Sequence, residues 1–392
     1  MNIRRILTLI VIFMTLLTLP GISYAKVEKL KIVAVEKPKI VVLMKGLMGV
    51  DYQLLNATRD LSQYEWVIVT ETLTSSDLEG ASVLIIVMVD SSMTVEDDEI
   101  TVIKNWLAKG NKMLWVSGDS DYGNDYPRQL TANKVLEAIG SKLRVDLAEA
   151  VDTKSNGGKP YRVLALSDNC DEEVKFLVAG VHRALFHGPG AIIAYVNGEY
   201  VKLNEKKVEN VYRLMWTSDG GMISEFNPPT SKVYVAGEEG RFVILAIEVD
   251  PAKKNIIVVS GDAPFDHYTG TYKPELKRYT RYAIEYPQQG AILFSNLMYW
   301  GTHTDEFFKM LEYPKEVSRL KEEVSTLEGQ VSSLKGQVSS LQGEVSTLQS
   351  KVKSLEGELG AARAMQTTYL AGGLIIGLII GFAVAFFLFK KK

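Results

Sequence analysis

VLIIVMVDSSMTVEDDEITVIKNWLAKGNKMLWVSGD, residues 83–119, opens on one apolar run and closes on another. Between them, residues 94–109 carry Glu96, Asp97, Asp98 and Glu99 at the front and Gly110 just past the end. Acids suit the positive end of a helix dipole and glycine stops the last turn, so the spacing predicts strand, helix, strand. Apolar runs without alternation belong to strands covered on both faces, as in a parallel sheet. The pattern recurs outward in IVVLM (40–44) and WVIVT (66–70), and residues 242–249, 256–259 and 291–294 also read as strands. Right-handed crossovers then predict an α/β fold with a doubly wound, mostly parallel sheet. Residues 148–231 are mixed, and Tyr195-Val-Asn-Gly-Glu-Tyr200 reads as a hairpin within them.

A chain of 392 residues has room for about two or three units. With 46% hydrophobic and 23% charged residues it is expected to bury a core. A net charge of -3 leaves no basic excess to neutralise phosphates, so a nucleic-acid partner is not expected. One cysteine, Cys170, excludes an internal disulfide and any CxxC site.

Both ends point to a membrane. Arg4 and Arg5, an apolar run over 6–19, the Pro20-Gly21 break and small residues at Ser23 and Ala25 predict a signal peptide over 1–25. The alternative is an uncleaved anchor, although the run falls short of the ~20 residues needed to cross a bilayer. Residues 369–389 are apolar and end in Lys390, Lys391 and Lys392, predicting a transmembrane anchor over 365–392 with its lysines in the cytoplasm. The expected topology is single-pass type I, with an ectodomain over 26–314 outside the cytoplasm.

Residues 315–364 read as a coiled-coil stalk. From Val317 to Leu355 valine falls at every a position and leucine at every d, without a slip. That pairing favours a parallel dimer and leaves a trimer open; a single amphipathic helix lying on its own domain is the other reading. The expected self-contacts are Val324, Leu327, Val331, Leu334, Val338 and Leu341, continued in the bilayer by Gly373, Gly377 and Gly381, whose four-residue spacing lets helix backbones approach.

The order strand, short helix, strand, then LTSSDLEGASVLIIV, an acidic helix ending WLAKG, and KMLWVSGD resembles the class I glutamine amidotransferase-like fold. It is closer to the non-catalytic branch found in auxiliary proteins of gliding-motility-type ABC transporters, in intraflagellar transport proteins and in archaeal and bacterial membrane proteins. HGPGAI, RLMWTSDGG, GRFVILAIEV, NIIVVSGDAPF and GAILFSNLMYW are similar to that branch's pattern, so the resemblance spans 39–301. The stalk and lysine-ended anchor resemble archaeal cell-surface proteins, surface-layer anchors among them.

Amidotransferase chemistry needs a cysteine on the turn after a central strand, with a histidine and carboxylate to activate it. The matching turn, Ser117-Gly118-Asp119-Ser120, has none. Cys170 lies in the acidic SDNCDEE, where carboxylates weaken a thiolate, and no G-x-S-x-G surrounds Ser120. His182, His187, His267 and His303 lack metal-site spacing, no cofactor is expected, and the metal content is left open. Val116-Ser-Gly-Asp119 and Val259-Ser-Gly-Asp262 repeat one tetrapeptide at the carboxyl ends of two strands. If both strands share a sheet, Ser117, Asp119, Ser260 and Asp262 are candidates to converge on a polar ligand or cation. The other reading is two turns, with glycine at positive φ and aspartate capping amides. Residues 119–125 begin like a calcium loop but lack its closing glutamate. Asn56-Ala-Thr58 is a glycosylation sequon, and Tyr268, Tyr272, Tyr279, Tyr282 and Tyr286 mark a loop that either docks a ligand or packs on its own domain.

The expected function is non-enzymatic binding or scaffolding at the cell envelope, beside a transporter as the resemblance implies. The partners are a second copy, membrane lipid, and transporter subunits or surface-layer proteins. A solute-binding receptor, an envelope anchor and an envelope-polymer hydrolase are the alternatives.

Overall fold

The computed structural model describes residues 36–390 except 47, 89, 121, 124–125, 228–230, 266–269 and 273–286. The expected signal peptide therefore lies outside the described residues. Two units are present, Met1–Phe308 and Lys309–Lys392.

In the first unit β1 (Lys39–Leu43), α1 (Tyr52–Asp60), β2 (Glu65–Val69), β3 (Ala81–Ile86), α2 (Asp97–Leu107), β4 (Met113–Ser117) and α3 (Tyr126–Ala138) follow the expected alternation. Val41, Val42 and Leu43 of β1 and Leu84, Ile85 and Ile86 of β3 are fully buried, as strands covered on both faces must be. In α2 Ile100, Ile103, Trp106 and Leu107 face the core on a helical period. Its first turn is closed by Glu99, whose carboxylate accepts the Glu96 amide at 2.8 Å and the Leu73 amide at 2.8 Å and pairs with Lys45 at 2.5 Å. That buried acid ties the helix start to two loops.

The chain continues through β5 (Leu143–Asp152), β6 (Arg162–Leu166), a 3-10 helix (Glu172–Val178), β7 (Arg183–His187), β8 (Gly190–Val196), β9 (Glu199–Lys202), β10 (Val211–Trp216), β11 (Gly221–Ser224), β12 (Val243–Asp250) and β13 (Asn255–Ser260). A nine-stranded sheet runs β2-β1-β3-β4-β13-β12-β10-β6-β7. It is parallel from β2 to β13, and its remaining pairings are antiparallel. The mixed middle segment supplies a second, antiparallel sheet in the order β11-β5-β8-β9. Its hairpin turns at Asn197 and Gly198, at φ 54° and 87°, as a two-residue primed turn requires.

Residues 291–294 are not a strand. They lie in α4 (Gly290–Thr302), which buries Leu293, Phe294, Leu297, Met298 and Gly301. A short apolar run reads alike in a strand and a buried helix, and here the helix wins because the one-in-four recurrence runs on past the four residues quoted. Phe294 packs against Trp115 at 5.7 Å, Phe265 at 5.1 Å and Tyr272 at 5.3 Å. Tyr272 is buried by this cluster and donates to Asp60 at 3.1 Å; the other loop tyrosines lie outside the described residues.

α5 (Thr304–Phe389) begins in the first unit and forms the second. Leu334 and Leu341 are 58% and 59% exposed, and the whole a/d stripe from Leu320 to Leu355 is equally bare. Gly329, Gly336, Gly343 and Gly357 face open space. Toward its C-terminal end the helix is long and apolar enough to cross a membrane.

Candidate ligand-binding site at the carboxyl ends of the strands

β4 and β13 are parallel neighbours with Ser117 paired to Ser260, so the two Ser-Gly-Asp turns lie side by side. Their serines face inward. Ser117 Oγ donates to the Ile86 carbonyl at 3.0 Å and accepts the Met88 amide at 3.2 Å. Ser260 Oγ donates to the Asp262 carbonyl at 2.6 Å and accepts the Trp115 indole at 2.8 Å. Asp262 accepts the amides of His187 and Ala263, both at 2.7 Å. Asp119 accepts the Ser120 amide at 2.6 Å and is ion-paired with Arg128. The aspartates thus cap amides, while Ser117 and Ser260 tie strand ends together.

The glycines serve closeness. Neither Gly118 nor Gly261 is among the positive-φ glycines, contrary to the turn reading. A Cβ on Gly118 would lie 2.8 Å from Val145 Cγ2, and one on Gly261 only 1.9 Å from the Gly190 carbonyl oxygen. Gly190 also donates to the Gly261 carbonyl at 2.9 Å. The second sheet therefore abuts the strand ends of the first, backbone against backbone. Gln129 Nε2 fastens the junction, donating to the carbonyls of Asp119, of Asp146 at 2.9 Å and of Ala148 at 3.4 Å.

Beside this junction is a cavity of about 460 Å³. Asp119 and Ser120 come from the turn after β4, Arg128 from α3, Glu149 from β5, Arg162 from β6 and His187 from β7. Of the four candidate residues, Asp119 alone lines it. At its mouth Tyr122 and Phe226 meet edge to face, 5.0 Å apart, and are 61% and 46% exposed. The Tyr161 ring is flanked by Arg162 at 5.3 Å and His187 at 5.4 Å. Gly188 has φ +55°, and a Cβ there would lie 3.3 Å from Glu149 Oε1, 3.5 Å from Ser120 Oγ and 3.8 Å from Asp119 Oδ1. Three side-chain oxygens from two segments, β5 and the turn after β4, thus converge over a residue with no side chain.

Asp146 of β5 is fully buried, and burial pushes its carboxyl up even though the amides of Lys232 at 2.6 Å and Tyr234 at 3.2 Å point at it. Cys170 is buried after β6, and burial with the adjacent Asp171 charge pushes its thiol up to about 12. Its Sγ donates to the Asp171 carbonyl at 3.5 Å. Neither Asp119 nor Ser120 is among the positive-φ residues, whereas a nucleophile elbow strains the backbone at its turn. No cluster of three metal-ligating side chains occurs among the described residues. Asn56 sits inside α1, its Oδ1 accepting from Arg59 Nη2 at 2.6 Å, while Thr58 Oγ1 donates to Leu55 at 3.0 Å.

Sequence reasoning did not reach Arg128, Glu149, Arg162, Gly188 or Phe226. Two signals were present: LAEAVD places a charge inside a strand-like run, and HGPG marks the turn that Glu149 meets.

No protein-family model matches the chain, and no curated protein matches it. Among solved structures it is similar to the mmIFT52 N-terminal domain, at 12% identity and a TM-score of 0.43, covering 67% of this chain and 97% of that one. It is also similar to a candidate GMP synthase protein from Thermoplasma acidophilum, at 12% identity and a TM-score of 0.32, covering 73% and 99%. A glutamine amidotransferase from Thermotoga maritima is similar at 9% identity and a TM-score of 0.30, covering 71% and 97%. These likenesses assign neither family nor activity.

Proposed function

We propose that the chain is a non-enzymatic binding protein of the cell envelope: an amidotransferase-like ectodomain without catalytic residues, carried on a coiled-coil stalk and held by one membrane helix. The observation that supports it most is the turn after β4. Where the amidotransferase class needs a reactive thiol, this chain has Asp119, tied to Arg128 at the wall of a polar cavity. The only cysteine is buried elsewhere with a thiol that stays protonated at neutral pH. In this reading the signal is removed after Ala25, the ectodomain lies outside the cytoplasm, and transporter subunits or surface-layer proteins are its neighbours.

The stalk pairs in parallel with a second copy. Its valines and leucines form one exposed stripe, and counting sevens onward from Val352 puts Gly373 again at an a position. The first glycine of the membrane stripe therefore enters the bilayer on the seam's face, and two modest interfaces act at high local concentration. Charges add little, since Lys351 at g meets Glu356 at e but Glu323 faces Glu328.

Glutaminase and esterase assays on the detergent-solubilised chain test the reading: activity should not exceed buffer. Turnover that disappears in Cys170→Ala or Ser120→Ala would overturn it. Protease treatment of intact cells that spares the ectodomain would overturn the topology.

A further inference from the structure

We infer that the cavity beside the two Ser-Gly-Asp turns binds a neutral carbohydrate, seated with a hydroxyl over Gly188 and its C–H face toward Phe226 and Tyr122. The inference rests on the binding reading above and adds a ligand class to it.

Charge balance comes first. Asp119, Glu149, Arg128 and Arg162 all line the cavity, so the formal charges of these four cancel and the site favours neither a net anion nor a net cation. A cation is also disfavoured by Arg128, which already pairs with one oxygen of Asp119. Hydrogen-bonding character comes second. Glu149 Oε1, Ser120 Oγ and Asp119 Oδ1 lie 3.3, 3.5 and 3.8 Å from the point a Cβ would take on Gly188, so a group placed there meets oxygens that accept. Arg162, which lines the same cavity, offers only donors. A ligand that both donates and accepts at neighbouring atoms answers this wall, and vicinal hydroxyls do so without charge. The mouth comes third. Phe226 and Tyr122 present exposed rings whose negative faces suit the polarised C–H bonds of a sugar ring, and about 460 Å³ admits one or two such rings.

The experiment titrates the detergent-solubilised full chain with methyl glycosides of glucose, mannose, galactose and N-acetylglucosamine, by saturation-transfer NMR and calorimetry. Glycine, glutamate and a dipeptide are run as zwitterionic competitors. At least one glycoside should bind saturably, with affinity changing less than about twofold between about 50 and 500 mM salt, as a neutral ligand requires. Gly188→Val and Arg162→Leu should each weaken binding at least about tenfold with tryptophan emission unchanged. Should Gly188→Val not fold, Phe226→Ala on the exposed rim should weaken binding about threefold or more. Absence of glycoside binding by the folded chain, or binding untouched by these variants, overturns the inference. A zwitterion that displaces the glycosides overturns the ligand class and leaves the binding reading standing. Cleavage of an aryl glycoside overturns the non-catalytic reading instead.

Discussion

Replacing Gly261 by alanine tests the claim that the two sheets meet through bare backbone. The new Cβ would sit 1.9 Å from the Gly190 carbonyl oxygen and 2.9 Å from the Gly190 nitrogen. No rotamer relieves this, because the obstacle is main chain. Overpacking costs typically about 1–3 kcal/mol, and a rigid obstacle belongs at the upper end. Pushing the strands apart also breaks the 2.9 Å bond from Gly190 N–H to the Gly261 carbonyl and leaves buried groups unpaired, at about 1–3 kcal/mol more. The sum, about 3–6 kcal/mol, is a large part of the ~5–15 kcal/mol that holds a domain folded. At a urea slope of about 3 kcal/mol per molar, the unfolding midpoint should fall by about 1–2 M. The assay is tryptophan emission of the intact chain. All its tryptophans (Trp66, Trp106, Trp115, Trp216 and Trp300) lie in the first unit, so the second unit is silent. Gly80→Ala is the control: φ is +72° with nothing within 4 Å of its Cβ, so only backbone strain of about 1 kcal/mol applies. A Gly261→Ala chain no less stable than the Gly80→Ala chain would refute the argument.

Other outcomes follow from single groups. With its thiol raised by burial, Cys170 is protonated in the folded chain while the unfolded chain ionises near its usual value; stability should fall as pH rises from about 9 to about 12, a slope that Cys170→Ala removes in alkaline urea titrations. Asp171 is desolvated, yet Arg213 at 2.6 Å and Lys207 at 3.0 Å hold its carboxyl below the usual value. Its contribution is present above the unfolded carboxylate pKa and lost as pH falls through the folded one, and Asp171→Asn should cost about 3 kcal/mol at neutral pH and flatten the acid limb. Leu334→Lys with Leu341→Lys should dissociate the solubilised protein in sedimentation, Gly377→Leu less so; a wild-type monomer at micromolar concentration would refute the seam.

The parallel half of the large sheet was legible because β1, β3 and β4 are apolar on both faces and α2 carries its own start and stop. β5 hid for the opposite reason. In its LRVDLAEAVD the charges keep to no single alternation, yet Arg144, Asp146, Glu149 and Asp152 are all buried. Asp152, for example, accepts the amides of Ser218 at 2.6 Å and Ser155 at 2.7 Å, long-range and local bonds that no periodicity announces. The cavity inherits that opacity. Its walls come from five separate segments, and the repeated tetrapeptide marked their meeting point without naming the residues that face it.

The Gly190–Gly261 junction also governs how a bound molecule would be noticed. Receptors that clamp their ligands do so by swinging two lobes about a flexible crossing. Here the second sheet is stitched to the strand ends of the first by a main-chain bond, Gly190 to Gly261 at 2.9 Å, so a swing of one sheet about the other would have to break it. On the proposed reading, a bound ligand covers the exposed rings of Tyr122 and Phe226. Occupancy on that reading is announced at the surface, by what fills the mouth, and the radius of gyration of the first unit should stay the same with and without it.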